Sequence, residues 1–343
     1  MNMVMADFSA VRPRATEEKT KQMLSVQKDG AQTLVKINAS SLSTLLTCGR
    51  KSKYQLHDGL KSRVEGPALT YGKAIHKALE IFYSIDRSSR RETGMPEDFD
   101  AMIDLMAHGH EAPSDHPLYG AIKGFLDIGS SLACLPDTEA RSLSSGVWVL
   151  SHYFKTYAND SYVICNDPSG NPYTERTCET LLFEDKQLRI NLFGTVDVIL
   201  RDEVTGIILP GDHKTTSQLG RDFFNRLRPN HQYTGYLKLA RECLGIESDK
   251  FLVNGIQSKA RPLTSRGGPP LLTRQITQRN AQDFIEYEQT VVWAVRAYLE
   301  WSNNKVWPLG DVNACSMYGA CSYLDICSTS NELRSNIIEA NYV

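Results

Sequence analysis

Apolar and polar positions along this chain fall into blocks of helical period, then strand period, then both again. Leu42, Leu45 and Leu46 share a helical face, and Ser40 or Ser41 can cap the helix, which is expected to run to about Gln55. Ile75, Ala78, Leu79 and Phe82 form the stripe of a second helix that starts near Gly72. Helices are also expected around 98–107, 117–132 and 144–157. From 161 to 213 strand signals dominate, in SYVIC, TCETLLFE, LRINLFGTVDVIL and GIILPGDHK. RDEVTG joins the last two as a polar turn ending in Gly, which predicts a β-hairpin. A helix over 220–244, strands over 251–257 and 271–277, and a helix over 280–304 follow. Helices, a hairpin-rich sheet, a helix and more strands predict an α/β core with helical additions. Residues 1–34 carry no period and read as a mobile tail, and 331–343 as a C-terminal tail. That leaves 35–330 as one domain.

Composition then narrows the class. The 343 residues are 41% hydrophobic and 23% charged, which suits a folded chain. No apolar run approaches the roughly 18 residues of a membrane span. The first residues hold no uninterrupted apolar segment of the secretory kind, so a reducing, cytoplasmic location is expected. The net charge of −2 argues at first against nucleic acid. It is unevenly spread, however. Ten acids and one Lys lie between Glu92 and Glu139, a net of −9, so the remainder carries +7. Gly206–Arg266 holds ten basic and five acidic residues. Residues 86–140 thus read as an acidic, solvated helical insertion beside a basic sheet region. Arg50, Lys51, Lys53, Arg221, Arg226, Arg228, Lys259, Arg261 and Arg266 could line a groove for phosphates.

The densest chemistry is Gly194-Thr-Val-Asp197 followed by Asp212-His213-Lys214. On a strand Asp212 and Lys214 share a face, and on neighbouring strands Asp197 and Asp212 would meet. Two close carboxylates repel unless protonated or bridged by a cation, for which Mg²⁺ or Mn²⁺ is suited. A surface ion pair on a hairpin is the competing reading. Gln232 and Tyr236 lie one helical turn apart and can project together, or Tyr236 can pack into the core. Pro210-Gly211 just before Asp212 predicts a bulge or strand end there. Of eight cysteines, Cys315, Cys321 and Cys327 are evenly spaced and read as ligands of zinc or an iron–sulfur cluster, with Cys48 as the fourth. Unrelated thiols remain an alternative. Cys134, Cys165, Cys178 and Cys243 read as ordinary buried or half-buried thiols.

Together these motifs resemble the PD-(D/E)xK nuclease superfamily, and within it the RecB-like exonucleases. Gly194–Asp197, Asp212–Lys214 and Gln232–Tyr236 occur in that family's order, and Gly72-Lys-Ala-Ile-His76 matches its upstream helix. The resemblance implies a restriction-endonuclease-like mixed sheet flanked by helices. It implies metal ligation by His76, Asp197, Asp212 and the carbonyl of His213, with Lys214 positioning the attacking water. It also implies that Gln232 and Tyr236 contact substrate. The expected activity is Mg²⁺- or Mn²⁺-dependent hydrolysis of DNA, on single-stranded ends, in recombination, repair or processing. A non-catalytic DNA-binding or scaffold protein on the same fold is the alternative. Cys48 before the core and three cysteines after it resemble the AddB-type and CRISPR-associated spacer-acquisition nucleases. That resemblance implies a 4Fe–4S cluster clasping the two ends. The first gap is five residues where that group more often has two, so zinc stays open. No Gly-x-x-x-x-Gly-Lys-Ser/Thr loop accompanies these motifs, so unwinding would come from a helicase or recombination partner.

Overall fold

Alternating side chains along Lys250–Gln257 show how the layers form. Leu252 and Ile256 are buried in one apolar cluster and Phe251 and Val253 in another, so the strand has helices on both faces. The computed structural model describes residues 24–85, 94–112, 115–262, 268–316 and 320–343. Numbered in chain order, it begins with strands β1 (Leu24–Asp29) and β2 (Gln32–Ile37) and helices α1 (Ala39–Thr47) and α2 (Gly49–Ser52). Helices α3 (Pro67–Ser84), α4 (Phe99–Ala107), α5 (Pro117–Ile128) and α6 (Leu143–Tyr157) follow. Then come β3 (Tyr162–Ile164), β4 (Thr174–Glu184), β5 (Leu188–Asp202) and β6 (Ile208–Thr216). Helices α7 (Arg221–Asn225) and α8 (His231–Leu244), strands β7 (Lys250–Gln257) and β8 (Leu272–Gln278) and helix α9 (Ala281–Asn304) complete the core. Two short helices, α10 (Leu324–Ser328) and α11 (Arg334–Asn341), end the chain.

The strands form one eight-stranded mixed sheet in the order β1-β2-β5-β6-β7-β8, with β3 and β4 also paired to β5. β2–β5 and β6–β7 are parallel, and the other pairs antiparallel. Helices α3–α6 cover one face through Tyr71, Ile75, Leu79, Phe125 and Phe154. On the other face α1 and α9 pack near β2 and β5, and α8 packs on β7. This is the α/β, restriction-endonuclease-like architecture the sequence predicts. Among the described residues no helix is long and apolar enough to cross a membrane.

Several boundaries differ from expectation, each for a local reason. Residues 24–34 belong to a β-hairpin rather than a tail, turned by Gly30-Ala31 with Gly30 at φ +58°; residues 1–23 lie outside the described part. The first helix is capped by Asn38, whose side chain accepts the Ser41 N–H, rather than by Ser40 or Ser41. It stops at Cys48, where the backbone is extended and the thiol caps α2 instead. The second helix begins at Pro67, five residues before Gly72, because Pro suits a first helical turn. The helix expected over 220–244 is split into α7 and α8, and Pro229 stands in the interruption.

The acidic segment is not a solvated insertion. Phe99, Ile103, Leu118, Ile122 and Phe125 from α4 and α5 lie in the main core, and the acids occupy the outer faces. Asp100 pairs with Lys155 at 2.6 Å, and Asp104 pairs with Arg261. Nor is 331–343 a tail. Tyr342 is buried against Tyr54, Tyr323 and Ile326, and Lys61 and Val343 exchange two backbone hydrogen bonds of 2.9 Å.

Candidate active site

The site forms where two strands part. β5 and β6 pair from Arg201–Ile208 to Val198–Gly211 and no further, after which β6 continues beside β7. Pro210 produces no bulge. It stands opposite Ile199, whose own N–H and C=O bond to Tyr173 and Cys165, and its position precedes the start of the β7 ladder. No ladder hydrogen bond is asked of a residue that has no N–H to give. Beyond the parting, the carboxylate of Asp197 answers the backbone instead: Oδ2 accepts the His213 N–H at 2.9 Å.

Period two then sorts the next three residues. Asp212 and Lys214 share a face and form an ion pair, Lys214 Nζ to Asp212 Oδ2, at 2.6 Å. Asp212 is almost fully buried, whereas Lys214 keeps about a third of its side chain exposed. The imidazole of His213 turns to the opposite face, stacks on Tyr83 with centroids 5.5 Å apart, and is buried. Its Nδ1 accepts from Asn254 Nδ2 at 2.8 Å, and the same amide donates to Tyr153 at 2.5 Å. Burial first, then the neighbouring cations His76, Arg274 and Lys214, hold this imidazole neutral, with its pKa well below the usual value.

Helix α3 brings His76 to the same spot. Its Nε2 lies 2.7 Å from the His213 carbonyl oxygen and its Nδ1 3.3 Å from Asp197 Oδ2. Burial opposes a charge on this ring, but Glu175, Asp197 and Asp212 outweigh it and raise the pKa to about 9. Asp197 is pushed well above the usual carboxylate range, by burial first and then by Asp212. A carboxyl that resists ionisation beside a charged imidazole is the electrostatics of a place that wants more positive charge.

Helix α8 closes the other side. Gly194 makes that approach possible, since a Cβ there would sit 3.0 Å from Leu239 and 3.1 Å from the Tyr236 ring. Gln232 Nε2 lies 3.5 Å from Asp212 Oδ1 and donates to the Tyr236 hydroxyl at 3.1 Å. The phenol of Tyr236 is half-buried and packs near Phe251. The pair is thus turned toward the carboxylates rather than projecting freely from the helix.

All seven expected residues, His76, Asp197, Asp212, His213, Lys214, Gln232 and Tyr236, therefore meet around one point. One further residue stands with them. Glu175 on β4 places Oε1 3.9 Å from His76 Nδ1, and ligand atoms of His76, Glu175 and Asp197 lie within 4.8 Å of one another. No motif points to Glu175. Its only sequence signal is its place at the start of a strand next to the one bearing Asp197.

Of the basic residues expected in a groove, Lys53 is paired with Asp58, Arg228 with Asp283 and Arg261 with Asp104. Arg266 lies outside the described residues. Away from this site, Cys48 Sγ accepts the Gly310 N–H at 3.2 Å, and the Cys321 N–H donates to the Cys315 carbonyl at 2.8 Å. The Cys327 thiol is raised by burial, lowered by Arg50, and raised in turn by Cys321, Cys48 and Cys315, so the four cysteines share one neighbourhood. Cys134 and Cys243 are exposed, contrary to expectation; Cys178 is buried and Cys165 half-buried.

The family model of the PD-(D/E)XK nuclease superfamily matches residues 36–328. The chain belongs to the PD-(D/E)XK nuclease superfamily. The comparison with curated proteins returns no match. Among solved structures, a candidate exonuclease from Eubacterium rectale is 13% identical, with a TM-score of 0.42, over 85% of this chain and 93% of that one. For a PD-(D/E)XK nuclease the donor set is fitting: carboxylate and carbonyl oxygens with one imidazole suit a hard divalent cation such as Mg²⁺ or Mn²⁺.

Proposed function

We propose that this nuclease hydrolyses DNA in a Mg²⁺- or Mn²⁺-dependent reaction and acts on single-stranded ends. What supports the reading most is that Asp197 pairs with His76 at 3.3 Å and accepts the His213 N–H, while Asp212, next to His213 in the chain, pairs with Lys214 at 2.6 Å, at the mouth of two diverging strands. Asp197, Asp212, the His213 carbonyl oxygen and His76 would hold the cation. When bound, it supplies Lewis acidity toward the phosphate and a strong oxygen nucleophile at neutral pH.

The protein's own groups do the rest. His76 must give up a proton to become a ligand, and the same positive charge then returns as the cation. Lys214, tethered to Asp212 with about a third of its side chain exposed, would donate to the attacking water and steady the charge that develops on the phosphoryl oxygens. Gln232 holds Asp212 from the side of α8 and donates to the Tyr236 hydroxyl, and this pair would contact the substrate strand. The buried hydrogen bonds of His213 fix the peptide whose carbonyl serves the cation.

Cys48, Cys315, Cys321 and Cys327 are proposed to hold a 4Fe–4S cluster that joins the start of the nuclease domain to its end. The shared neighbourhood of the four thiols supports this.

Linear and circular single strands of one sequence, and the matching duplex, test the substrate with Mn²⁺ present. Rapid loss of the linear strand with the circle spared is the expected result. Equal cleavage of the circle would overturn the requirement for an end, and preference for the duplex would overturn the single-strand assignment.

A further inference from the structure

Glu175 occupies a position that ordinary strand geometry discourages. On β4, Thr174 stands opposite Val198 and Arg176 opposite Val196, which sets Glu175 across from Asp197. Like charges directly opposite one another in an antiparallel pair repel. Its backbone is left-handed as well, at φ 47°, a region that side chains with a Cβ avoid. A Gly or Asn would occupy such a kink readily, and a Gln or Thr opposite Asp197 would remove the repulsion. The charged imidazole of His76 offsets part of that repulsion in the metal-free protein.

The same kink sets the carboxylate at the cation site. Glu175 Oε1 is 3.9 Å from His76 Nδ1, and His76, Glu175 and Asp197 each bring a ligand atom within 4.8 Å of the other two. Asp212 is held by Lys214 and Gln232. Asp197 therefore stands between two groups: Asp212 with Lys214 toward α8, and Glu175 with His76 toward α3. Its buried carboxylate can be shared by both, and about a third of the Glu175 side chain is exposed at the entrance.

We propose that Glu175 is a further ligand of the divalent cation, supplied by β4 from outside the motif set. The inference rests on the metal-dependent reading above and adds a carboxylate to it. A bound cation cancels the repulsion between Glu175 and Asp197, so cation binding and the stability of this corner of the sheet rise together.

The test uses the full chain, freed of metal by a chelator and titrated with Mn²⁺. Free Mn²⁺ is followed by electron paramagnetic resonance, and the Mn²⁺-induced rise in thermal midpoint is measured beside it. Glu175→Gln keeps the shape and removes the charge; Glu175→Gly keeps the turn and removes the side chain. Both are expected to weaken Mn²⁺ binding by about 10- to 100-fold and to shrink the Mn²⁺-induced thermal rise. Wild-type affinity in either folded variant overturns the role of Glu175 and leaves the metal-dependent reading standing. Absence of Mn²⁺ binding by the wild type overturns that reading itself, and this inference with it.

Discussion

Asp197 and His213 are tied across the gap between β5 and β6, the carboxylate accepting the backbone N–H at 2.9 Å. The bond takes the place of a ladder hydrogen bond after the two strands separate. It also fixes the His213 peptide, whose carbonyl oxygen faces His76 at 2.7 Å. One carboxylate thus serves the sheet and the site together.

The two roles separate by mutation. Asp197→Asn keeps an oxygen to accept the His213 N–H but loses a charged ligand. It should fold with near wild-type urea stability and lose cleavage. Asp197→Ala leaves a buried N–H unanswered and should lose about 1–3 kcal/mol of stability as well. Urea titration of both variants beside a cleavage assay checks the split. Equal destabilisation by Asn and Ala would contradict it.

Asn254 holds His213 from the far side of β6, with one amide group donating to both His213 Nδ1 and Tyr153. Asn254→Leu fills the space but strands two buried polar groups, so it should cost about 1–3 kcal/mol in chemical denaturation. Tyr153→Phe removes one hydroxyl and should cost less. A neutral result for Asn254→Leu would show that the network is not stabilising.

Protonation gives a sign that can be measured without substrate. The His76 pKa is raised from 6.5 to about 9. Its contribution to stability is fully present below pH 6.5 and is lost as pH rises through about 9. Asp197 is also raised, so its protonated form is favoured on folding and its contribution falls with rising pH too. The metal-free protein should therefore lose thermal stability as pH rises across this window, whereas its affinity for Mn²⁺ should increase as both groups shed protons. A chelated protein whose thermal midpoint rises from pH 6.5 to 9 would contradict the assignment.

Much of this site was legible because its residues sit at spacings that strands and helices impose. Asp212 and Lys214 share a face by period two, and Gln232 and Tyr236 share one by helical turn. The hairpin then carries Asp197 to Asp212. Glu175 was not legible, because it reaches the site through strand register and a left-handed backbone. The β1–β2 hairpin had a signal in the turn glycine Gly30, but weak alternation in LSVQKD concealed it. The acidic segment misled because its charge is on the outside: Phe99, Ile122 and Phe125 are as deeply buried as any core residue. Its expected helices at 98–107 and 117–132, and the one that follows at 144–157, nonetheless match α4, α5 and α6 closely, since their stripes are long and regular.

The cysteine clasp makes a separate claim. Gly49 packs so tightly on Pro308 that a Cβ there would lie 2.6 Å from the proline ring, so the two ends of the chain are already in contact beside Cys48. Cys48→Ser should lower bound iron and sulfide and speed hydrogen exchange in 324–343. Unchanged iron content would remove Cys48 from the cluster, and stoichiometric zinc in the wild type would replace the cluster altogether.

The central claim is that Lys214, beside Asp212 and the cation, carries out phosphodiester cleavage. The most direct measurement is single-turnover digestion of an end-labelled single-stranded DNA with Mn²⁺, for wild type and Lys214→Ala. Lys214→Ala should fold, bind Mn²⁺ and cleave about 10²- to 10³-fold more slowly than wild type. Equal rates, or an equal absence of products, would contradict the account.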